Sequence, residues 1–331
     1  MKNSLRFIGL SLLVLAFAIP AFAQTSTTGS IEGTVIDVNG AAVPGVTVVV
    51  SGSNVMGSQQ ATTNEAGVYR MQNLPPGRYT VAIEATRGFA KFEQSDVEVN
   101  LGKTSSVAVT LQPAGATGSV TITASSGAAV DVTNNTTGTN VSTEQFSNFP
   151  TQRTVQSLYT IAPTVVRSGL RDSSGRDRDP SVAGSSGPEN NYILDGVTVS
   201  DPAFGGSGAN MPFEFVQEVE IKTGAYGAEY GKSTGGIFNV VTKSGSNEIR
   251  GDAFGYFGIK GLVRDVKDSA IPFTGSASNG FSEIDAGVDI GGPIIKDKLW
   301  FFGAFNPQQR KNYFLTQTFL NEVNNKVTTP F

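Results

Sequence analysis

The chain has 331 residues, is rich in glycine (39) and contains neither cysteine nor histidine. Without those two residue types there is no thiol nucleophile, no disulfide, no Cys/His site for zinc, haem or iron–sulfur, and no Ser-His-Asp or Cys-His catalytic pair. The formal net charge of −4, with both signs mixed, excludes the basic patch of a nucleic-acid surface, and abundant Gly, Ser, Thr, Asn and Val suit a β-rich extracytoplasmic protein.

Met1–Ala23 reads as a secretory signal peptide. Lys2 and Arg6 form its basic start, Phe7–Ile19 is apolar but short for a membrane span, and Ala21-Phe22-Ala23 is a small-residue cleavage site. Its removal would take the formal charge from −4 to −6.

Residues 24–113 read as a β-sandwich of about seven short strands. Ile31–Asp37 alternates and Asn39-Gly40 turns. Val46–Ser51 is an apolar run, and Asn64–Gly67 turns into Val68–Met71. Pro75-Pro76-Gly77 turns into Arg78–Glu84, where Tyr79, Val81 and Ile83 share a face; Val97–Asn100 and Val107–Leu111 follow. Asp37-Val38-Asn39-Gly40 lacks the further acidic ligands of a calcium loop and reads as a plain turn.

Residues 114–140 have a linker composition. Inside them Val120, Thr121, Ile122, Thr123 and Ala124 form a short extended β-former that can add to a partner's sheet edge; the alternative is the last strand of the preceding domain. Asn135-Thr136-Thr137 and Asn140-Val141-Ser142 match the glycosylation acceptor, a pattern frequent by chance in such a composition.

Residues 141–244 read as an α+β domain. Ser142–Phe146 can start a helix with Ser142 or Thr143 as cap, and Val155–Ile161 is a second short helix stopped by Pro163. Arg167, Arg171, Arg176 and Arg178 mix with Asp172, Asp177 and Asp179: either a solvated loop or cations set against acidic residues of a barrel wall. Ser200–Pro212 is a glycine-rich loop.

Phe213–Ser244 then organises the domain. Val216–Lys222 is a strand in which Val219 and Ile221 alternate with Glu218, Glu220 and Lys222, and Ile237–Thr242 is its apolar partner. Between them Gly224, Gly227, Gly231, Gly235 and Gly236 interleave with Tyr226 and Tyr230, a density expected where backbones approach closely or φ is positive. Gly231-Lys232-Ser233 is not a phosphate loop, because Tyr226 stands where the first glycine is needed and a strand, not a helix, follows.

Residues 245–331 read as the first strands of a barrel. In Phe281–Ile290 the apolar Ile284, Ala286, Val288 and Ile290 face one way and Glu283, Asp285 and Asp289 the other. That is apolar to lipid and polar to lumen, or a soluble sheet with its apolar face buried; alternation does not separate the two. Leu299-Trp300-Phe301-Phe302 and Phe305, after the turn Lys296-Asp297-Lys298, suit an aromatic interface girdle.

Two blocks in order resemble the plug domain of TonB-dependent outer-membrane receptors. The first is Asn191-Tyr192-Ile193-Leu194-Asp195-Gly196-Val197 with Asp201-Pro202. The second is Val219-Glu220-Ile221, Gly224, Ala228-Glu229-Tyr230-Gly231, Gly235-Gly236-Ile237, Asn239-Val240 and Thr242-Lys243. Gly33-Thr34-Val35, Pro44–Val48, Thr63–Tyr69 and Leu74–Tyr79 resemble the non-catalytic carboxypeptidase-regulatory-like (transthyretin-like) sandwich. Gly291–Ile294 and Lys298–Phe302 resemble the first hairpin of large Oar-like receptors that carry that module.

The resemblance implies a mainly β chain: a seven-stranded sandwich, an α+β plug and the first strands of an incomplete outer-membrane barrel. It implies a plug motif of Tyr192, Leu194, Asp195, Gly196, Gly224, Tyr230, Gly231, Gly235, Gly236 and Asn239, and makes Val120–Ala124 the TonB box. The implied function is energised uptake across a Gram-negative outer membrane, without enzymatic activity, cofactor or nucleic acid. The implied partners are a TonB-type energy-transducing complex, outer-membrane lipid and an unidentified extracellular substrate. A non-transporting surface adhesin of β-domains is the alternative. Plugged barrels have about 22 strands, and the residues after Ser244 supply roughly three or four, so the chain is expected to be the N-terminal piece of a receptor. Those strands alone cannot close in lipid, and such a piece is not expected to transport.

Overall fold

The structure is a computed structural model that describes residues 27–52, 57–86, 88–114, 120–123, 135–147, 149, 153–168, 179–262, 277–315, 319–320 and 326–327. The expected signal peptide, Ala124, and Arg171, Arg176 and Arg178 with Asp172 and Asp177 lie outside the described residues. The chain is mainly β, in three successive sheet assemblies.

The first is a sandwich of nine strands rather than seven. They are β1 (Gly29–Asp37), β2 (Thr47–Gly52), β3 (Gln59–Thr62), β4 (Val68–Leu74), β5 (Gly77–Ile83), β6 (Phe92–Val99), β7 (Thr104–Ser106), β8 (Val109–Leu111) and β9 (Val120–Thr123). One sheet runs β4-β1-β7, with β8 also on β1; the other runs β3-β2-β5-β6-β9. Ile31, Val35, Val48, Val50, Val81 and Ile83 alternate inward and are fully buried between them. β3 was illegible because Gln59-Gln60-Ala61-Thr62 has no apolar alternation; it is a half-exposed edge strand held by its ladder to β2. The expected turns form through side chains. Asp37 Oδ1 accepts from the amides of Asn39 (2.8 Å) and Ala41 (2.9 Å), and Asn64 Oδ1 from those of Ala66 (3.0 Å) and Val68 (2.9 Å).

The second assembly contains β10 (Thr137–Ser142), α1 (Thr143–Phe146), α2 (Val155–Tyr159), β11 (Val165–Arg167), β12 (Pro180–Val182), β13 (Asn191–Leu194), β14 (Val197–Thr198), β15 (Val216–Gly224) and β16 (Ile237–Thr242). Its main sheet is ordered β10-β15-β16-β13-β14, parallel only between β13 and β16. Ser142 and Gln145 close a capping box on α1. Phe146 and Leu158 bring the two short helices onto Val219 and Ile221. Phe238 stacks between Tyr159 (4.3 Å between centroids) and Tyr192 (5.4 Å) in the middle of this core. Asn190 ties its rim together: Nδ2 donates to Pro180 O (2.8 Å) and Tyr192 Oη (3.1 Å), and Oδ1 accepts from the buried Gly236 amide (2.8 Å).

The alternation along β15 does not mark a solvent face: Glu218, Glu220 and Lys222 are as buried as Val219 and Ile221. The cover comes from the sandwich, whose Asn100–Gly102 turn lies on that polar face. Leu101 N donates to Glu218 Oε1 (3.0 Å), and Asn140 Nδ2 donates to the same oxygen (2.6 Å) and to Leu101 O (3.0 Å). Gly102 sits at φ +66°, and a Cβ there would stand 2.6 Å from Glu220 Oε1. At the rim Arg78 forks onto Glu144 (3.1 and 2.7 Å). Burial pushes the Glu218 carboxyl up to about 7, against the smaller opposing effect of its two donors.

The third assembly contains β17 (Arg250–Gly258), β18 (Ala277–Ile295), β19 (Leu299–Phe305) and β20 (Gln308–Leu315). β19 pairs with Val288–Ile295 of β18 and β20 with Ala277–Asp285, so the two are one long strand interrupted at Asn306-Pro307. Proline has no N–H to give the ladder, and Asn306 Nδ2 bridges the gap to Asp285 Oδ1 (2.7 Å) and Ala286 O (2.8 Å). The result is a three-stranded antiparallel sheet. At 19 residues β18 extends on the order of 60 Å, about twice what a bilayer crossing needs.

Replacing Asn190 by Ala strands the Gly236 amide and is expected to destabilise the second assembly by about 1–3 kcal/mol, read from denaturant unfolding. Docking of the sandwich should also depend on pH. The docked state binds a proton at Glu218 that the undocked state releases, so docking weakens as pH rises from the ordinary carboxylate value of 4.5 to about 7 and then levels off. Hydrogen exchange at the Leu101 amide, corrected for intrinsic rate, should show that loss of protection, and Glu218→Gln should flatten it.

Candidate functional site

Three places carry the residues singled out by sequence. The first is the Val120–Thr123 segment, which is neither isolated nor free on both sides. It forms β9, parallel to β6, with Phe92 opposite Val120 and Ser95 opposite Thr123.

The second is the glycine and tyrosine motif around the β15–β16 hairpin. The structure brings its members together as scaffold. Tyr192 and Asn239 are buried, Leu194 lies against the aromatic core, and Tyr230 packs over Lys222 Nζ at 5.0 Å from the ring centroid. Asp195 (φ 47°) and Gly196 (φ 82°) make the two-residue turn between β13 and β14. The Asp195 carboxylate then accepts from Thr242 N (2.9 Å) and Thr242 Oγ1 (2.8 Å), fastening that hairpin to the end of β16.

The glycine expectation divides. A Cβ on Gly235 would stand 2.4 Å from Asn190 Oδ1, and one on Gly236 2.7 Å from Val182 Cγ2, so these two are required by close packing. Gly224 and Gly231 have open space around them and no positive φ. Positive φ falls instead on Ala225 (54°) and Lys232 (61°), so the reading fails at those two glycines.

The third place is the contact between the plug-like sheet and the barrel-like sheet, and sequence reasoning missed its cations. On β17 and β18, Asp252 lies opposite Asp289 and Tyr256 opposite Asp285, all on the inner face. Lys243, just after β16, places Nζ 3.1 Å from Asp252 and 3.2 Å from Asp289, neutralising two carboxylates that would otherwise repel across the ladder. Arg153, before α2, pairs with Glu214 (2.8 Å) and Asp285 (3.6 Å). Its guanidinium lies 3.7 Å from the Tyr256 ring centroid and 4.7 Å from that of Phe254. Arg310 on β20 meets Glu283 at 3.1 Å. Among the arginines expected at a wall, Arg167 is on exposed β11. The signal available in sequence was the acidic spacing Glu283, Asp285, Asp289, which called for cations without saying which.

Exposure fixes the orientation that alternation left open. Ile284, Val288 and Ile290 are 51%, 51% and 52% exposed, whereas Asp285 and Asp289 are 1% and 6% exposed. The apolar face points outward and the acidic face inward, the inverse of a soluble sheet.

Three family models match: a carboxypeptidase regulatory-like domain over residues 30–112, a TonB-dependent receptor plug domain over 128–237, and an outer membrane β-barrel domain over 241–323. The TonB-dependent transporter Oar of Myxococcus xanthus is 37% identical over 308 residues, which are 88% of this chain and 28% of that protein. The ferrienterobactin receptor of Escherichia coli K12 is 30% identical over 132 residues, 35% of this chain and 18% of that one. The chain thus spans less than a third of the length of either relative. A ferric enterobactin receptor of Pseudomonas aeruginosa solved with enterobactin aligns with a TM-score of 0.34 at 17% identity over 48% of this chain and 23% of its own, too slight a likeness to argue from. By sequence, then, the chain is a carboxypeptidase regulatory-like domain, a TonB-dependent receptor plug domain and part of an outer membrane β-barrel domain in series, homologous to a TonB-dependent transporter.

Proposed function

We propose that this chain is the N-terminal portion of an outer-membrane TonB-dependent transporter. In that reading the residues from 245 onward begin the barrel wall, and residues 141–244 form the plug seated against it. The observation that carries this is the inverted sheet of β17 and β18, apolar outward and acidic toward a plug that answers with Lys243 and Arg153. An adhesin built of soluble β-domains would have no use for an outward row of Ile284, Val288 and Ile290.

In mechanism, an extracellular substrate binds on plug and barrel loops, and an energy-transducing partner takes hold of the Val120–Ala124 segment. Force from the inner membrane then rearranges the plug. The motif residues Tyr192, Asp195, Gly235, Gly236 and Asn239 give the plug its rigidity, while its grip on the wall rests on a few ion pairs made by Lys243 and Arg153. The reading needs no acid–base or nucleophilic chemistry.

The product of the complete locus is expected to fractionate with the outer membrane and to change gel mobility on heating; recovery as a soluble monomer would overturn the assignment. Arg153→Met should loosen the plug from the wall by on the order of 3 kcal/mol, because it leaves Asp285 and Glu214 without their cation. Faster hydrogen exchange along β17 and β18, with the sandwich unchanged, is the expected reading; equal exchange in both proteins would remove Arg153 from the contact.

A further inference from the structure

The Val120–Thr123 segment is held by the sandwich and, among the described residues, is open on its other side. β9 continues the sheet β3-β2-β5-β6, in register with Phe92–Ser95 of β6. In a strand, successive residues direct their N–H and C=O groups to opposite sides. Of these four residues, therefore, about half bond toward β6 and half point away from it. Among the described residues no strand takes that far side. A strand edge with unpaired backbone groups is a template for another chain.

The same sandwich is fastened to the plug. Its Leu101 amide bonds Glu218 on β15, and Arg78 forks onto Glu144 of α1. A pull applied at β9 thus has two routes to the plug, one along the chain into β10 and one through the sandwich onto β15. An isolated tail would have only the first.

We infer that the sandwich presents Val120–Thr123 as a preformed edge strand, and that the energy-transducing partner docks by adding its own strand there as the sixth of that sheet. This rests on the proposed identity of the segment and goes beyond it by assigning the sandwich a role as the docking platform. Presentation costs less ordering entropy at encounter than capture of a free tail.

The chain contains no cysteine, so a single engineered pair can test this. Gln94 and Ile122 are register partners, and neighbouring strands lie about 4.8 Å apart, within disulfide reach. The full-length receptor carrying Gln94→Cys and Ile122→Cys, oxidised, would be titrated with the purified periplasmic domain of the host's TonB-type protein. A parallel arm uses receptor lacking Ser119–Ala124. The inference expects the disulfide to form, the locked receptor to bind within about twofold of its reduced form, and the deletion to weaken binding at least tenfold. If locking abolishes binding and reductant restores it, the partner needs a released segment: presentation is overturned while the identity of the segment stands. Failure of the disulfide to form overturns the β6–β9 pairing. Full binding by the deleted receptor overturns the segment's identity and the inference with it.

Discussion

Much of this structure depends on a row of carboxylates that faces inward. Asp252, Asp285 and Asp289 stand on the inner face of β17 and β18, where two of them confront each other across one ladder position. Asp285 and Asp289 are buried while Asp252 is largely exposed, and a buried carboxylate without a cation is costly by several kcal/mol. The plug supplies what is missing, Lys243 for the Asp252 and Asp289 pair and Arg153 for Asp285. Wall and plug are therefore each incomplete alone. Among the described residues the wall's apolar side has no partner, and its polar side has one.

The plug itself is organised by close backbone approach. Gly235 and Gly236 let the start of β16 pass against Asn190 and Val182, and the Asn190 side chain satisfies the amide exposed by that approach. The aromatic stack of Tyr159, Phe238 and Tyr192 then fills the core behind it. This arrangement is stiff, because its hydrogen bonds are buried and its glycines have no room to give. The contacts that bind the plug to the sandwich are of another kind. Arg78 with Glu144 at the sandwich is exposed and solvent-screened, while Glu218 is held by donors that do not require its charge.

The N-terminal sandwich gains meaning from its position. Its turn at Asn100–Gly102 covers the polar face of β15, and its last edge strand is the segment that sequence alone left between two readings. The module thus touches the plug through Leu101 and holds that segment in its own sheet. A passive spacer would need neither contact.

Local pattern was enough to locate most of the fold. Alternation marked β1, β5, β15 and β18, an apolar run marked β16, glycine, proline and asparagine marked the turns, and the order of motifs gave the three assemblies. The inner acidic row could also be read, because period two fixes which residues share a face. What local pattern could not decide was what each face meets. Glu218, Glu220 and Lys222 are the polar half of an alternating strand and are nonetheless buried, because another domain covers them. Gln59–Thr62 has no pattern of its own and is a strand only through its ladder to β2. Arg153 looks unremarkable in the chain and Lys243 stands there only as the end of a motif, since a cation's pairing depends on the carboxylates that distant strands bring within a few ångströms. Period and turn chemistry act between near neighbours and are written in sequence; burial and charge pairing act through space, so only the assembled fold fixes them.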